Sequence, residues 1–117
     1  MTKANVQISV RNPATKTAIL DIQGEINSYS ENALMDAYAQ ASSAGANAII
    51  LNFDGLEYMN SSGIGLLVTL LIRVQRQKQR LMAFGLSEHY RQIFDLTRLN
   101  EAIMIYDNES AALHAAG

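Results

Sequence analysis

Residues Met59-Asn60-Ser61-Ser62-Gly63-Ile64-Gly65 are the stretch most able to do chemistry. Two adjacent hydroxyls and two glycines separate the apolar run Ala48–Phe53 from the apolar run Ile64–Val74. A small hydroxyl-bearing turn can serve nucleophilic catalysis, phosphate binding or covalent modification. The first needs a base and, in hydrolases, a G-x-S-x-G elbow; the residues here read N-S-S-G-I-G. The two histidines, His89 and His114, lie in no catalytic sequence setting. Phosphate binding fares no better. G-x-x-x-x-G-K-[ST] is absent, and Gly63-Ile64-Gly65 continues as Leu66-Leu67-Val68 without the third glycine of a dinucleotide fingerprint. Asp54 and Glu57 read as solvated loop acids, and the five methionines as core fillers rather than a cofactor box. With no cysteine, a thiolate metal site and a disulfide are both ruled out. No catalytic residue, metal or cofactor is expected. Modification is the chemistry left.

The turn has the physics for it. Ser62 is the expected N-cap of the following helix, its hydroxyl accepting from the Ile64 or Gly65 amide. Ser61 is then the freer hydroxyl. Orphan amides and the helix dipole favour negative charge here. A phosphate would bring a charge of about −1.5 to −2 without breaking the fold.

The elements that must position this turn follow from periodicity. Val6, Ile8 and Val10 alternate with polar residues, as do Ala18, Leu20 and Ile22, predicting a hairpin around a turn at Pro13. Ser28 and Glu31 have capping-box spacing. Ala33, Leu34, Ala37, Tyr38 and Ala41 then predict a helix that stops at Gly45. Ala48–Phe53 reads as a strand buried on both faces, and Asp54–Ser62 as a loop. A helix from about Gly63 to Arg80 carries Leu67, Leu70, Leu71 and Val74 on one face. Ile64, Val68 and Ile72 widen its apolar stripe: the plain reading is a well-buried central helix, the sharper one an apolar patch left exposed for a partner by its N-terminal half. Gly63 and Gly65 would let another backbone approach. Leu81–Gly85 is a further strand, Ser87–Leu99 a helix, Ala102–Tyr106 a last strand, and Asp107 or Asn108 caps a terminal helix. The order β-β-α-β-α-β-α-β-α predicts an α/β fold with a mixed sheet and covering helices.

The chain has 117 residues, a size for one domain over residues 1–117. Its net charge of −2 argues against nucleic acid. The longest apolar run, Ile64–Ile72, is far short of the roughly 20 residues of a membrane span, so no direct membrane insertion is expected. The N-terminus lacks the apolar core of a leader. A soluble, cytoplasmic protein is the expectation.

These residues resemble a STAS domain, and within that family the stand-alone anti-sigma factor antagonists of bacterial partner-switching systems. "GEINSYSENAL" and the segment from "AIILNFDGLEYMNSSGIG" through "IMIYDNESAAL" carry the likeness over nearly the whole chain. The resemblance implies a mixed β-sheet with helices packed on one side. It implies a module that binds an anti-sigma factor that is also a serine kinase, and so frees a sigma factor. Phosphorylation of a loop serine, here Ser61, would end that binding, and a serine phosphatase would restore it. Partner contacts would fall on Asn27, Ser28, Asn60, Ser61, Ser62, Gly63, Ile64, Gly65 and Leu66. The family usually has aspartate where this chain has Asn60, and often where it has Asn27, so two negative charges are missing from the expected interface. Other roles in the same family are accessory subunits of lipid-transport ATPases and stressosome-like scaffolds. A small enzyme or nucleotide binder is a third reading. A weak isologous homodimer through the apolar helix face would compete with partner binding.

Overall fold

The computed structural model describes residues 5–117. Residues 1–4, part of the stretch read above for a leader and for the domain's beginning, lie outside the described residues. The elements are β1 (Val6–Ala14), β2 (Thr17–Ile26), a 3-10 turn (Ser28–Ser30), α1 (Glu31–Ser43), β3 (Ala48–Met59), α2 (Ser61–Arg76), β4 (Arg80–Phe84), α3 (Glu88–Leu96), a second 3-10 turn (Leu99–Glu101), β5 (Met104–Tyr106) and α4 (Glu109–Ala116). The strands lie in one sheet in the order β1-β2-β3-β4-β5. β1 is antiparallel to β2, and the other pairs are parallel. The expected order of strands and helices and the mixed sheet are both present.

Alternation of side chains divides the sheet into two faces. Leu20 and Ile22 of β2, Ile49, Leu51 and Phe53 of β3, and Leu81 and Ala83 of β4 point to one of them. There they meet Leu34, Ala37, Tyr38 and Ala41 of α1, Leu67, Leu70, Leu71 and Val74 of α2, and Tyr90 and Phe94 of α3. The opposite residues Ile19, Ala48, Ile50, Met82 and Phe84 form a second cluster with Ala112 of α4. The expectation of helices on one side therefore holds for α1 to α3, while α4 covers the other face. The physical reason is the continuous apolar run in β3 and β4, which buries both faces and requires a cover on each.

Several boundaries differ from the sequence expectations. Pro13 lies inside β1, and the hairpin turns at Thr15 and Lys16, with Lys16 left-handed at φ +60°. A proline is tolerated there because β1 is an edge strand and its pairing with β2 is irregular between Arg11 and Ala14. β3 runs on through the segment read as a loop, because its polar second half still pairs with β2 as far as Ile26↔Met59. That half is stepped by two register shifts. α2 begins two residues earlier than expected and ends at Arg76, where Lys78 turns left-handed at φ +56°. α3 ends at Leu96 and β5 starts only at Met104. Gly45 does stop α1: it is left-handed at φ +89°, and its amide donates to the Ser42 carbonyl at 3.0 Å.

Candidate functional site: paired asparagine caps at the ends of two parallel strands

β2 and β3 end side by side. Ile26 is the register partner of Met59, and the Asn60 amide donates to the Ile26 carbonyl at 3.3 Å. The next residue of each strand is an asparagine, and each starts a helical turn. Asn27 Oδ1 accepts from the Tyr29 amide at 2.9 Å, and the Asn27 amide donates to Ser30 Oγ at 2.9 Å. The Ser30 hydroxyl, fully buried, donates in turn to the Glu25 carbonyl. Asn60 Oδ1 accepts from the Gly63 amide at 2.9 Å, and its carbonyl accepts from the Ile64 amide at 3.0 Å. Both caps lie beyond the carboxyl ends of parallel strands, where α/β proteins place their sites.

These caps correct two expectations. The helix cap is Asn60, not Ser62, and the cap before α1 is Asn27, not Ser28. Asparagine ranks with serine as a cap. Asn60 holds the extended backbone a cap requires, φ −90° and ψ −176°, as it directly follows the end of β3. Helical geometry begins at the next residue, so Ser61 and Ser62 are both in the first turn of α2 and both exposed. Neither hydroxyl is committed to a cap. Among the described residues no acceptor stands on the Ser61 or Ser62 amides. The positive end of a helix of 16 residues therefore points out beside two free hydroxyls.

The two glycines divide their work. A Cβ on Gly63 would lie 2.5 Å from the Ile26 carbonyl oxygen and 2.7 Å from Met59 Cγ, so Gly63 lets the helix start sit directly on the strand ends. Its close approach is to this chain's own backbone, not to a partner's, which corrects the sequence reading. A Cβ on Gly65 would meet nothing within 4 Å. Gly65 is the open one.

The outer face of α2 continues from Ser61. Ile64 and Leu66 are half-buried against the core, while Val68 and Ile72 are exposed, 38% and 44%. Tyr29, in the turn capped by Asn27, is 54% exposed, and Tyr58, one residue before Met59, is 53% exposed. An uncharged turn thus adjoins apolar and aromatic surface. This fits docking better than bond-making chemistry.

One positioning residue escaped the sequence reading. Tyr90 of α3 is buried, its hydroxyl accepts from the Met59 amide at 2.8 Å, and it returns a longer bond to the Met59 carbonyl. Among the described residues that edge of β3 has no strand partner there, because β4 pairs only as far as Asn52↔Phe84. The available signal was a tyrosine on the apolar face of a helix, whose hydroxyl needs a partner when buried.

Charge gathers elsewhere, on the sheet face that carries α4. Arg11 Nη2 donates to Asp21 Oδ1 at 2.9 Å and to Glu109 Oε1 at 2.8 Å, and Asn52 Nδ2 donates to Asp21 Oδ1 at 2.7 Å. The bonds from Arg11, helped by Asn52, hold the Asp21 carboxyl below the usual carboxylate range, and the two carboxylates raise Arg11. Among the described residues no group of three or more His, Asp or Glu side chains could hold a metal, and no helix is long and apolar enough to cross a membrane.

Comparison with known proteins agrees with the fold. The STAS domain family model matches residues 5–112. The anti-sigma-B factor antagonist of Listeria monocytogenes is 24% identical over 105 residues, 90% of this chain and 92% of that protein. Among solved structures, an anti-sigma factor antagonist from Mycobacterium paratuberculosis superposes with a TM-score of 0.78 at 17% identity, covering 99% of this chain and 98% of its own. The Bacillus cell fate determinant SpoIIAA in its phosphorylated form superposes with a TM-score of 0.73 at 21% identity, covering 94% of this chain and 99% of its own.

Proposed function

This chain belongs to the STAS domain family, and from that membership we propose that it is an anti-sigma factor antagonist switched at Ser61. In this reading it is a single regulatory domain that works by binding. The unmodified protein binds an anti-sigma factor with serine-kinase activity through Asn27, Ser28 and the run Asn60–Leu66. The kinase moves the γ-phosphoryl group of ATP to Ser61 Oγ. The hydroxyl proton passes to the kinase's base and ADP leaves. A serine phosphatase hydrolyses the ester and resets the switch.

The observation that carries the reading is the Asn60-capped turn. It presents Ser61 exposed in the first turn of α2, at the edge of an exposed apolar face, while Gly63 fixes that turn to the strand ends. A phosphate on Ser61 meets free amides and the positive helix end, so the domain tolerates it. It also sets a double charge beside apolar surface that a partner must desolvate, so binding ends. Asn27 and Asn60 bring no charge of their own, so partner affinity in this chain rests on the apolar face rather than on ion pairs at the turn.

Intact-mass spectrometry with site mapping tests the reading, after incubation with ATP and each anti-sigma kinase of the host. One phosphate on Ser61, together with weaker kinase binding by the Ser61→Glu variant, is the expected result. A kinase that binds the protein and leaves Ser61 unmodified overturns the switch.

A further inference from the structure

The outer face of α2 is self-complementary when two copies meet antiparallel. Ser61, Gly65, Val68, Ile72 and Arg76 follow one another at steps of three or four residues, so they share one stripe of the helix. All five are exposed, and Thr69 beside them is half-buried. Ser61 and Arg76 mark the two ends, about 22 Å apart at 1.5 Å per residue. If a second α2 is laid on this stripe in the opposite direction, with Val68 against Thr69 at the centre, Ile72 faces Gly65 and Arg76 faces Ser61. Each pairing occurs twice, as an isologous two-fold contact requires. Gly65, where a Cβ would meet nothing within 4 Å, is the hole for the Ile72 knob.

Only the charge is missing. Arg76 makes no salt bridge among the described residues, and neither does Arg73 a turn back. The serine opposite is neutral. We infer that a phosphate on Ser61 completes this surface, so that the phosphorylated protein forms an antiparallel α2–α2 homodimer with Arg76 of each copy on the phosphate of the other. This inference rests on Ser61 being the phosphoacceptor. It adds that the modification covers the apolar stripe with a second copy, besides repelling the partner. An arginine–phosphate pair is charge-assisted. The contact area is one helix face, so association is weak without it.

The test is sedimentation equilibrium of the full chain with phosphoserine installed at position 61 during translation, so that no kinase is needed. At protein concentrations on the order of 100 μM, where a small interface is populated, the phosphorylated protein is expected as a dimer and the unmodified protein as a monomer. Arg76→Glu in the phosphorylated protein removes two symmetric pairs. At about tenfold each, it weakens the dimer about a hundredfold. Gly65→Leu fills the hole without touching its own fold and also returns the monomer. A phosphorylated protein that stays monomeric overturns the inference, as does a dimer indifferent to both substitutions. The kinase experiment fails or succeeds independently of either result.

Discussion

The hydroxyl of Tyr90 accepts the amide of Met59 at 2.8 Å, and so α3 holds the strand end from which the Ser61 turn departs. The bond is buried, between residues 31 apart in sequence. Tyr90→Phe keeps the ring and removes the acceptor, leaving a buried amide unpaired. The expected loss is about 1–3 kcal/mol of stability in urea denaturation. Amide exchange at Asn60 to Gly63 should quicken more than in α1, because the anchor of this turn has gone. Uniform quickening across the chain would show that Tyr90 only fills the core.

Gly63 and Gly65 should respond to alanine with opposite sign. At Gly63 the new Cβ would press on the Ile26 carbonyl at 2.5 Å, which is backbone and cannot swing away. Gly63→Ala is expected to cost about 1–3 kcal/mol. At Gly65 the Cβ enters open space within a helix, so Gly65→Ala should gain about 0.5–1 kcal/mol from lost chain freedom in the unfolded state. Thermal unfolding of the two variants side by side checks both signs.

Asp21 gives the fold an acid-sensitive contact far from the turn. Its folded-state carboxyl is held below the usual range, first by the hydrogen bonds from Arg11 and then by Asn52. A lowered folded pKa means that the contribution is fully present above the unfolded value, 3.8, and is lost as pH falls through the folded value. The raised pKa of Arg11 has the opposite sense, with its loss only in strong alkali. Arg11 is 41% exposed, so solvent screening limits the pair to about 1 kcal/mol or less. Urea midpoints of the parent and Asp21→Asn should differ at pH 7 and converge below pH 3.8, and salt should shrink the difference at pH 7.

How far the sequence could be read depended on what each residue faces. The apolar period of α2 assigned Leu67, Leu70, Leu71 and Val74 correctly because those positions meet the sheet and nothing competes. The polar stretch Asp54–Tyr58 looked like a loop because half of its pairing was lost: β4 stops at Phe84 and leaves β2 as its only strand partner among the described residues. Composition cannot tell an edge-like strand extension from a loop. The cap was misplaced by two residues because asparagine and serine offer equivalent acceptors in N-S-S. The choice between them was made by the length of β3, a tertiary fact. Helical period puts Tyr90 on one side of α3 with Ile93 and Phe94, but its bond to Met59 depends on α3 crossing the end of β3. That is visible only in three dimensions.

Asn60 is where stability and switching meet, and its substitutions should separate them. Asn60→Ala removes the acceptor on the Gly63 amide and should cost about 1 kcal/mol. Asn60→Asp keeps an acceptor and places a carboxylate at the positive end of α2. It should gain about 0.3–1 kcal/mol at pH 7 and low salt, fading as the carboxyl protonates below about pH 3.9. That same charge occupies the field a Ser61 phosphate would use. Phosphoserine at position 61 should therefore raise the melting temperature of the parent and raise that of Asn60→Asp less, since two adjacent anions repel. Melting curves of the parent and the Asn60→Asp variant, each with and without the phosphate, measure the coupling directly. Equal shifts in both backgrounds would mean that the phosphate points away from the helix end, and that the neutral cap in this chain has no bearing on its modification.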